Sequence, residues 1–254
     1  MIMPIGDDNT GRRTKPVVNY ILIAINIAVF FLFQAGSDKF TYQFSTVPRE
    51  IVTGKDIVTQ PREVEIPTGQ RIQIPGLEET PIPVYLTLIT SMFMHGGIAH
   101  LFGNMLFLWI FGDNVEDDLG RVRYLIFYLL CGIIASLTHV LVNASGDHAL
   151  VPSLGASGAI SGVLGGYLVL HPKRRVRVIM MRMLTEVPAI VAIGMWFAFQ
   201  IISSMGALGG GSAVGGVAYG AHIGGFVAGL ALVKLFAIHP PSEYTPPSGY
   251  GSGY

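Results

Sequence analysis

The chain has 254 residues, of which 51% are hydrophobic and only 13% charged, and its mean hydropathy is +0.54. In soluble domains roughly a quarter of the residues are charged, so the composition excludes a soluble globular enzyme and favours a polytopic membrane protein. The formal net charge of zero gives no sign of a nucleic-acid partner. Cys131 is the single cysteine, which excludes an intrachain disulfide framework, and we interpret it as a small core residue.

Six apolar segments approach the length of about 20 residues that spans a bilayer. They lie near Val17–Ala35, Ile98–Gly112, Tyr124–Val142, Gly155–Leu170, Val187–Ser204 and Val217–Ile238. The prediction is an all-α fold, a helix bundle with six transmembrane helices. Residues 1–16 would be a polar N-terminal tail, 17–238 the membrane domain, and 239–254 a disordered, Pro/Gly/Ser-rich tail. The first segment is longer than a signal-peptide core and lacks a good cleavage site, so we expect it to be retained.

The basic residues predict the orientation in the cell membrane. Eleven of the sixteen lysines and arginines fall before the first span, after the even-numbered spans or near the end of the sixth. The other five lie in the long loop after the first span, together with seven acidic residues. By the positive-inside rule, both termini are expected to be cytoplasmic.

A long outer loop, residues 36–95, follows the first span. Its segments 63–66 and 71–74 alternate polar and β-branched residues around Pro67-Thr68-Gly69, a pattern typical of a β-hairpin. This hairpin would be either an exposed decoration or a docking element for substrates. Residues 81–94 are apolar but interrupted by proline, threonine and serine, which predicts a half-embedded segment shielded from lipid by protein.

Polar side chains stand out at the start of the second span. His100 and Asn104 are four residues apart and therefore share one helix face. Polar groups at that depth are candidates for function, although both residues could simply form hydrogen bonds between helices. His95 is expected to brace the preceding loop. The acidic residues at the other end of this span are expected to solvate the helix end; they are Asp113, Glu116, Asp117 and Asp118.

The fourth and sixth spans each carry a stripe of small residues. Gly158, Gly162 and Gly166 recur every four residues in one, and Ala221, Gly225 and Gly229 in the other. Such stripes let helix backbones approach closely. We therefore expect these two helices to pack together, although 64 residues separate Ser157 from His222.

This pairing would bring a hydroxyl and an imidazole together. A serine needs a nearby base to become a nucleophile, and His222 could supply it to Ser157. No carboxylate lies at matching depth, so the prediction is a Ser–His dyad whose imidazole is oriented by packing and weak hydrogen bonds. Ser157 also lies near a helix start, where free N–H groups favour negative charge, and His100 and Asn104 could donate to an oxyanion.

Other interpretations of the histidines stay open. His222 could belong to a proton relay or bind haem, and His95, His100 and His222 are the only basis for a metal-dependent protease. No His-Glu-x-x-His helix accompanies them, so we predict neither a metal nor a cofactor. His139 and His171 have no obvious polar companion and are interpreted as packing or interfacial residues.

The motifs resemble those of a known family. Gly155-Ala156-Ser157-Gly158, Ala221-His222-Ile223-Gly224-Gly225 and the His95, His100, Asn104 set are similar, in order, to three signatures of the rhomboid intramembrane serine proteases. The resemblance covers about residues 83 to 235. It implies a six-helix rhomboid fold, Ser157 as nucleophile, His222 as general base, and an oxyanion site made by His100, Asn104 and the Ser157 backbone N–H.

The same resemblance implies a class of substrate for the site. The substrates would be single-pass membrane proteins cut in or near their transmembrane helix. The orientation predicted from the basic residues would place the site toward the outer side of the bilayer. Gly155, Gly158, Ser161 and Ala221 would be structural neighbours of the site.

Two departures from the family pattern favour an alternative. Many members have Trp-Arg where this chain has Leu86-Thr87, and often a tyrosine that stacks on the catalytic histidine where this chain has Ser161. The alternative is a catalytically weak or silent rhomboid-like protein that binds membrane proteins.

Overall fold

The structure, a computed structural model, describes residues 2–65, 71–74, 76–180, 183–208 and 219–239 and is mostly helical. The α-helices are α1 (Val17–Val29, continued by a π-helical turn Phe30–Gln34), α2 (Asp38–Gln43), α3 (Pro48–Thr53), α4 (Thr87–Thr90), α5 (Ile98–Leu119), α6 (Arg121–Val142), α7 (Ser157–Leu170), α8 (Ala189–Leu208) and α9 (Tyr219–Phe236). The strands are β1 (Ile2–Asp7), β2 (Arg62–Glu65), β3 (Arg71–Ile74), β4 (Arg175–Met180) and β5 (Met183–Pro188). The predicted tail 240–254 lies outside the described residues.

Several helices are long and apolar enough to cross a bilayer, so the chain is a membrane protein. In the described part, Val17–Gln34, Arg121–Val142 and Tyr219–Phe236 meet this criterion singly. A fourth span is possible if Val84–Phe93 and Ile98–Leu119, which are bent by 80° from each other, count as one. Helix α7 and the apolar part of α8 are shorter. The count of six spans therefore stays a prediction.

Helix α7 lies in the middle of the bundle, packed against α5, α6 and α9. Nearly all its residues after Ser157 are buried, and its glycines allow close contact on two sides. A Cβ on Gly162 would collide with Cys131 of α6, and a Cβ on Gly165 would collide with the Phe226 carbonyl of α9. Cys131 is buried and unpaired, which confirms its interpretation as a small core residue.

Helix α5 continues to Leu119, well past the predicted end at Gly112. Its last acidic residues do not solvate the helix end, as expected from the sequence, because all four are buried against other parts of the chain. The Glu116 carboxylate accepts hydrogen bonds from the Val18 and Asn19 backbone N–H groups, at 3.1 and 2.7 Å. Those N–H groups have no partner inside their own helix, so a side chain of α5 caps the start of α1.

The neighbouring carboxylates hold the segment that leads into α1. Asp117 accepts hydrogen bonds from the backbone N–H groups of Arg13 and Thr14. Arg13 forms ion pairs with Asp117 at 3.1 Å and with Asp118 at 2.6 Å. The residues before the first span are therefore fixed on the end of α5 by charge-assisted hydrogen bonds, which are the stronger kind.

The N-terminal segment is also part of a sheet that the sequence did not predict. Strand β1 pairs antiparallel with β4, which pairs antiparallel with β5 in the connection from α7 to α8. Arg175 and Arg177 point outward while Val176 and Val178 are buried. The described residues are mostly helical, as predicted, but the predicted helix bundle did not include this sheet, and strand β1 lies within the segment 1–16 that we expected to be a polar tail.

A buried polar cluster joins β1 to the bundle. The Asp7 Oδ2 atom accepts hydrogen bonds from Tyr167 of α7 at 2.7 Å and from the Asn114 side chain of α5 at 2.8 Å. The buried Arg174 guanidinium donates to the Asn114 side-chain oxygen. Burial, together with the nearby Asp113 carboxylate, raises the pKa of Asp7 to about 7.

The outer loop is anchored in the bundle at Thr46. Its backbone forms an isolated antiparallel bridge with Ser153, just before α7, and its hydroxyl lies 2.9 Å from the Ser91 hydroxyl.

Strands β2 and β3 pair antiparallel, with Glu63 opposite Gln73; the turn between them lies outside the described residues. Glu50 of α3 is buried and accepts a hydrogen bond from the Ile57 N–H, and burial raises its pKa to about 7.

The glycine contact between α7 and α9 gives a stability prediction. A methyl group on Gly229 would collide with the Gly162 backbone, so Gly229→Ala must push the two helices apart. We expect a loss of about 1–3 kcal/mol of unfolding free energy, typical of overpacking, measured by denaturation in detergent. Gly194→Ala is the matched control, since a Cβ there meets nothing within 4 Å, and equal losses in both variants would contradict the packing argument.

The buried Asp7 gives a pH prediction. Because its folded pKa lies above the ordinary 3.8, the folded state holds this proton more tightly than the unfolded chain, and stability falls as pH rises between about 4 and 7. Asp7→Asn should reduce, without abolishing, the decrease in melting temperature between about pH 5 and about pH 8, because Glu50 and other buried carboxyl groups remain. Asp8→Asn, on the neighbouring half-buried residue, is the control. An unchanged pH dependence in Asp7→Asn would contradict the assignment.

Candidate active site

The structure brings Ser157 and His222 together. Ser157 is the first residue of α7, and its Oγ lies 2.7 Å from Nε2 of His222 on α9. The approach depends on the small-residue stripes, since a Cβ on Gly225 would collide with the Gly158 carbonyl. Ala221, one residue before His222, faces Gly158 across the same contact. The distance is that of a short hydrogen bond between a hydroxyl and an imidazole.

The loop before α7 has a conformation that needs glycine. Gly155 has φ +123°, a backbone conformation that residues other than glycine rarely adopt. A Cβ there would also lie 2.9 Å from Cε1 and 3.0 Å from Nε2 of His100. The Gly155 N–H donates to the Ser91 carbonyl at 2.9 Å. Gly155 therefore leaves the space that lets the His100 ring lie beside the start of α7.

His100 and Asn104 both carry side-chain hydrogen-bond donors. His100 Nδ1 accepts a hydrogen bond from the Gly96 N–H at 3.3 Å, which leaves the proton of a neutral ring on Nε2, the atom facing Gly155. The Asn104 side-chain nitrogen is buried and has no hydrogen-bond partner within the described part of the chain. The first N–H groups of α7 are also free of intrahelical partners.

The His95 ring packs against the His100 ring. Their rings are 5.2 Å apart in an edge-on arrangement, and His95 is buried. Gln34, at the end of the first span, holds the His95 backbone with hydrogen bonds to both its N–H and its carbonyl. The His95 ring nitrogens have no partner among the described residues. The expectation that His95 braces the loop stays a prediction.

Sequence reasoning missed two residues that face His222. Gln200 of α8 is buried, and its Oε1 lies 2.8 Å from His222 Nδ1. The Trp196 ring lies 6.0 Å from the imidazole, at 37° to it. We expected packing and weak hydrogen bonds, rather than a carboxylate, to orient His222; the structure places an amide oxygen and an aromatic ring beside it. A signal was present, because Gln200 is a lone amide in an otherwise apolar stretch.

Ser161 also has a different environment from the one considered. Its buried hydroxyl donates to the Ser157 carbonyl, at 2.6 Å, one turn back along α7. It therefore satisfies its own hydrogen bond inside the helix. The aromatic neighbour of His222 that Ser161 cannot provide comes instead from Trp196.

Two further histidines were wrongly described as lacking polar companions. His171, at the end of α7, lies 2.7 Å from the Asp118 carboxylate, and both side chains are buried. His139 of α6 has its Nδ1 at 3.3 Å from the Asn143 side-chain nitrogen. In the described part of the chain, no group of three His, Cys, Asp or Glu residues is arranged to hold a metal ion.

Comparison with known proteins identifies the family of this chain. The sequence profile described as "Rhomboid domain" matches residues 83–238, more than half of the chain. The chain belongs to the rhomboid family. It is 30% identical over 213 residues, 83% of this chain, to "Rhomboid protein 1, mitochondrial" of Saccharomyces cerevisiae, of which it covers 51%. It is 31% identical over 226 residues, 87% of this chain, to "Rhomboid protease GluP" of Bacillus subtilis, of which it covers 36%.

A human relative matches over a shorter stretch. "Presenilin-associated rhomboid-like protein, mitochondrial" of Homo sapiens is 32% identical over 123 residues, 47% of this chain and 32% of its own length. This rhomboid chain spans about half or less of the length of these relatives.

The departure at Leu86-Thr87 lies in a well-anchored part of this rhomboid domain. Thr87 is buried, its hydroxyl donates to the Val84 carbonyl at 2.5 Å, and its carbonyl accepts from the Thr46 hydroxyl at 2.8 Å. Leu86 is 47% exposed. Threonine hydrogen bonds therefore fix this segment.

Gly155 offers a test of the site geometry. Gly155→Ala strains the backbone at φ +123° and pushes its methyl group against the His100 ring. We expect Ser157 labelling by a fluorophosphonate probe to slow by about tenfold or more, because moving a hydrogen-bond donor away from its place beside Ser157 raises the reaction barrier. Gly96→Ala is the control, since its Cβ would meet His100 at an ordinary 3.7 Å. Equal labelling in all three proteins would contradict this role for Gly155.

Proposed function

We propose that this rhomboid protein is an intramembrane serine endopeptidase. The observation that carries the proposal is the 2.7 Å distance between Ser157 Oγ and His222 Nε2. Family membership and the printed name of the Bacillus subtilis relative, a rhomboid protease, support it. Ser157 would be the nucleophile and His222 the general base.

The reaction follows from this pair. His222 Nε2 takes the Ser157 proton as Oγ attacks the scissile carbonyl carbon, and a tetrahedral oxyanion forms. When the C–N bond breaks, the imidazolium gives its proton to the leaving amine, and an acyl-serine remains. Water, deprotonated by the same imidazole, then attacks the acyl carbon. The bond between the acyl carbon and Ser157 Oγ then breaks, Oγ takes the proton back from the imidazolium, and the new carboxylic acid leaves.

The oxyanion would be stabilised by groups beside the start of α7. The donors are His100 Nε2–H, the Asn104 side-chain N–H and the Ser157 backbone N–H. The buried, unpartnered Asn104 nitrogen supports this role, since a buried donor without a partner costs free energy in the resting protein. One such donor can lower the barrier by roughly 3 kcal/mol.

The membrane setting supports a substrate class. Ser157 lies in an apolar bundle, and we propose that the substrates are single-pass proteins cut in or near their transmembrane helix. A helical substrate must expose a peptide bond, so small, helix-loosening residues near the cut would favour cleavage.

The orientation is also part of the proposal. Strand β1 pairs with β4, so the N-terminal segment and the α7–α8 connection lie on the same side. That side carries most of the basic residues, which predicts that it is cytoplasmic. Ser157 starts α7 and Leu170 ends it on the β4 side, so the site would open toward the outer side. Six spans, including the shorter α7 and α8, are proposed with this topology.

A nucleophile test distinguishes this function from a silent rhomboid-like binder, the alternative that the Leu86-Thr87 and Ser161 departures favour. Purified wild type and Ser157→Ala would be incubated in liposomes with a panel of single-pass reporter proteins. We expect wild type to cut at least one reporter and Ser157→Ala to lose at least 10³-fold of the activity, about the effect of removing a serine nucleophile.

Ser145→Ala, on an exposed loop serine, is the control and should cleave like wild type. Equal cleavage by wild type and Ser157→Ala would falsify the proposal. Membrane-protein binding without cleavage, and without fluorophosphonate labelling of Ser157, would establish the binder instead.

A further inference from the structure

The environment of Gln200 suggests that the site has a third member. Gln200 belongs to α8, a helix that contributes neither Ser157 nor His222. Its side chain is 7% exposed, and its Oε1 lies 2.8 Å from His222 Nδ1. The two ring nitrogens of His222 are thus occupied from opposite sides, Nδ1 by Gln200 and Nε2 by Ser157.

The chemistry of these two contacts is not symmetric. A neutral imidazole carries its proton on one nitrogen only, and the other nitrogen accepts. An amide oxygen only accepts, so the contact with Gln200 Oε1 requires the proton on Nδ1. Nε2 then has a free lone pair directed at the Ser157 hydroxyl, which is the form a general base needs.

We infer that Gln200 is a positioning residue that sets the tautomer and ring orientation of His222. It does for this imidazole what a carboxylate does in a Ser–His–Asp triad, with a neutral oxygen that is less costly to bury in a membrane than a charged one. This inference rests on the proposed function, since it assigns Gln200 a task in the same reaction.

The other neighbour of the His222 ring, Trp196, cannot fix the position of the proton on that ring. Trp196 lies four residues before Gln200 on the same helix face, and its ring is 6.0 Å from the imidazole. It can limit tilting of the ring, but it has no acceptor for Nδ1–H. Within the described residues, Gln200 is the side chain hydrogen-bonded to that nitrogen.

The direct test is the proton position in the wild-type protein. ¹⁵N NMR of the neutral His222 ring, assigned with a His222→Ala variant, should show Nδ1 protonated and Nε2 bare. The reverse tautomer would mean that the Gln200 amide donates to Nδ1 and that no base faces Ser157, which overturns the inference. This measurement needs no substrate and no Gln200 variant.

The kinetic test uses two near-isosteric changes. Gln200→Met removes the acceptor and keeps the length of the side chain, so kcat should fall about 10- to 100-fold, the effect of losing one hydrogen bond to a group that becomes charged. KM should not change, because the buried Gln200 does not reach the substrate. Gln200→Glu restores an acceptor at the same place and should recover kcat to within a few-fold of wild type.

Met195→Leu, at an exposed position on α8, is the matched control and should leave kcat unchanged. A Gln200→Met protein with the kcat of wild type, or a Gln200→Glu protein as slow as Gln200→Met, would refute the positioning role. If the wild type cleaves nothing while Nδ1 carries the proton, the proposed function fails and the tautomer assignment stands. If cleavage needs Ser157 but the proton is on Nε2, only the role of Gln200 fails.

Discussion

The close contact of α7 with α9 is the constraint on which the candidate site depends. Glycines let the Gly158 and Gly162 backbone meet that of Gly225 and Gly229 with no side chain between them. A serine side chain is short, and an imidazole extends only a few ångströms from its helix. Their 2.7 Å contact is therefore possible only if the helices themselves nearly touch. In a bilayer this contact gains little from the hydrophobic effect, so packing and polar contacts must hold it.

The sequence predicted the parts of the site that depend on spacing. Glycine repeats every four residues placed Ser157 and His222 on facing helices, and the i, i+4 relation put His100 and Asn104 on one face of α5. It did not predict Gln200, because the helix that carries it comes near His222 only through tertiary packing. One glutamine in an apolar stretch indicates burial or function without naming its partner.

The errors at the end of α5 and in strand β4 share one cause. The sequence around Asp117 and Asp118 suggests solvated charges. In the structure they pair with Arg13 and His171, which are more than 50 positions away along the chain. The residues of β4 are rich in arginine, and their role as a strand becomes clear only from the pairing with β1. Sequence patterns show which residues could be buried, whereas only the fold shows which opposite charges and unpaired strand edges meet them. Near Ser157, the glycine spacing along α7 and α9 is itself visible in the sequence, so the pairing of these two helices could be predicted.

The pairing of β1 with β4 has a consequence for biosynthesis. The two strands are separated by about 170 positions along the chain, so β1 leaves the ribosome long before the strand that pairs with it. Until translation passes β4, the leading segment has no sheet to join, although the carboxylates at the end of α5 are already available to it. The sheet would therefore close after the central helices have entered the bilayer, as a late step that ties the beginning of the chain to its middle.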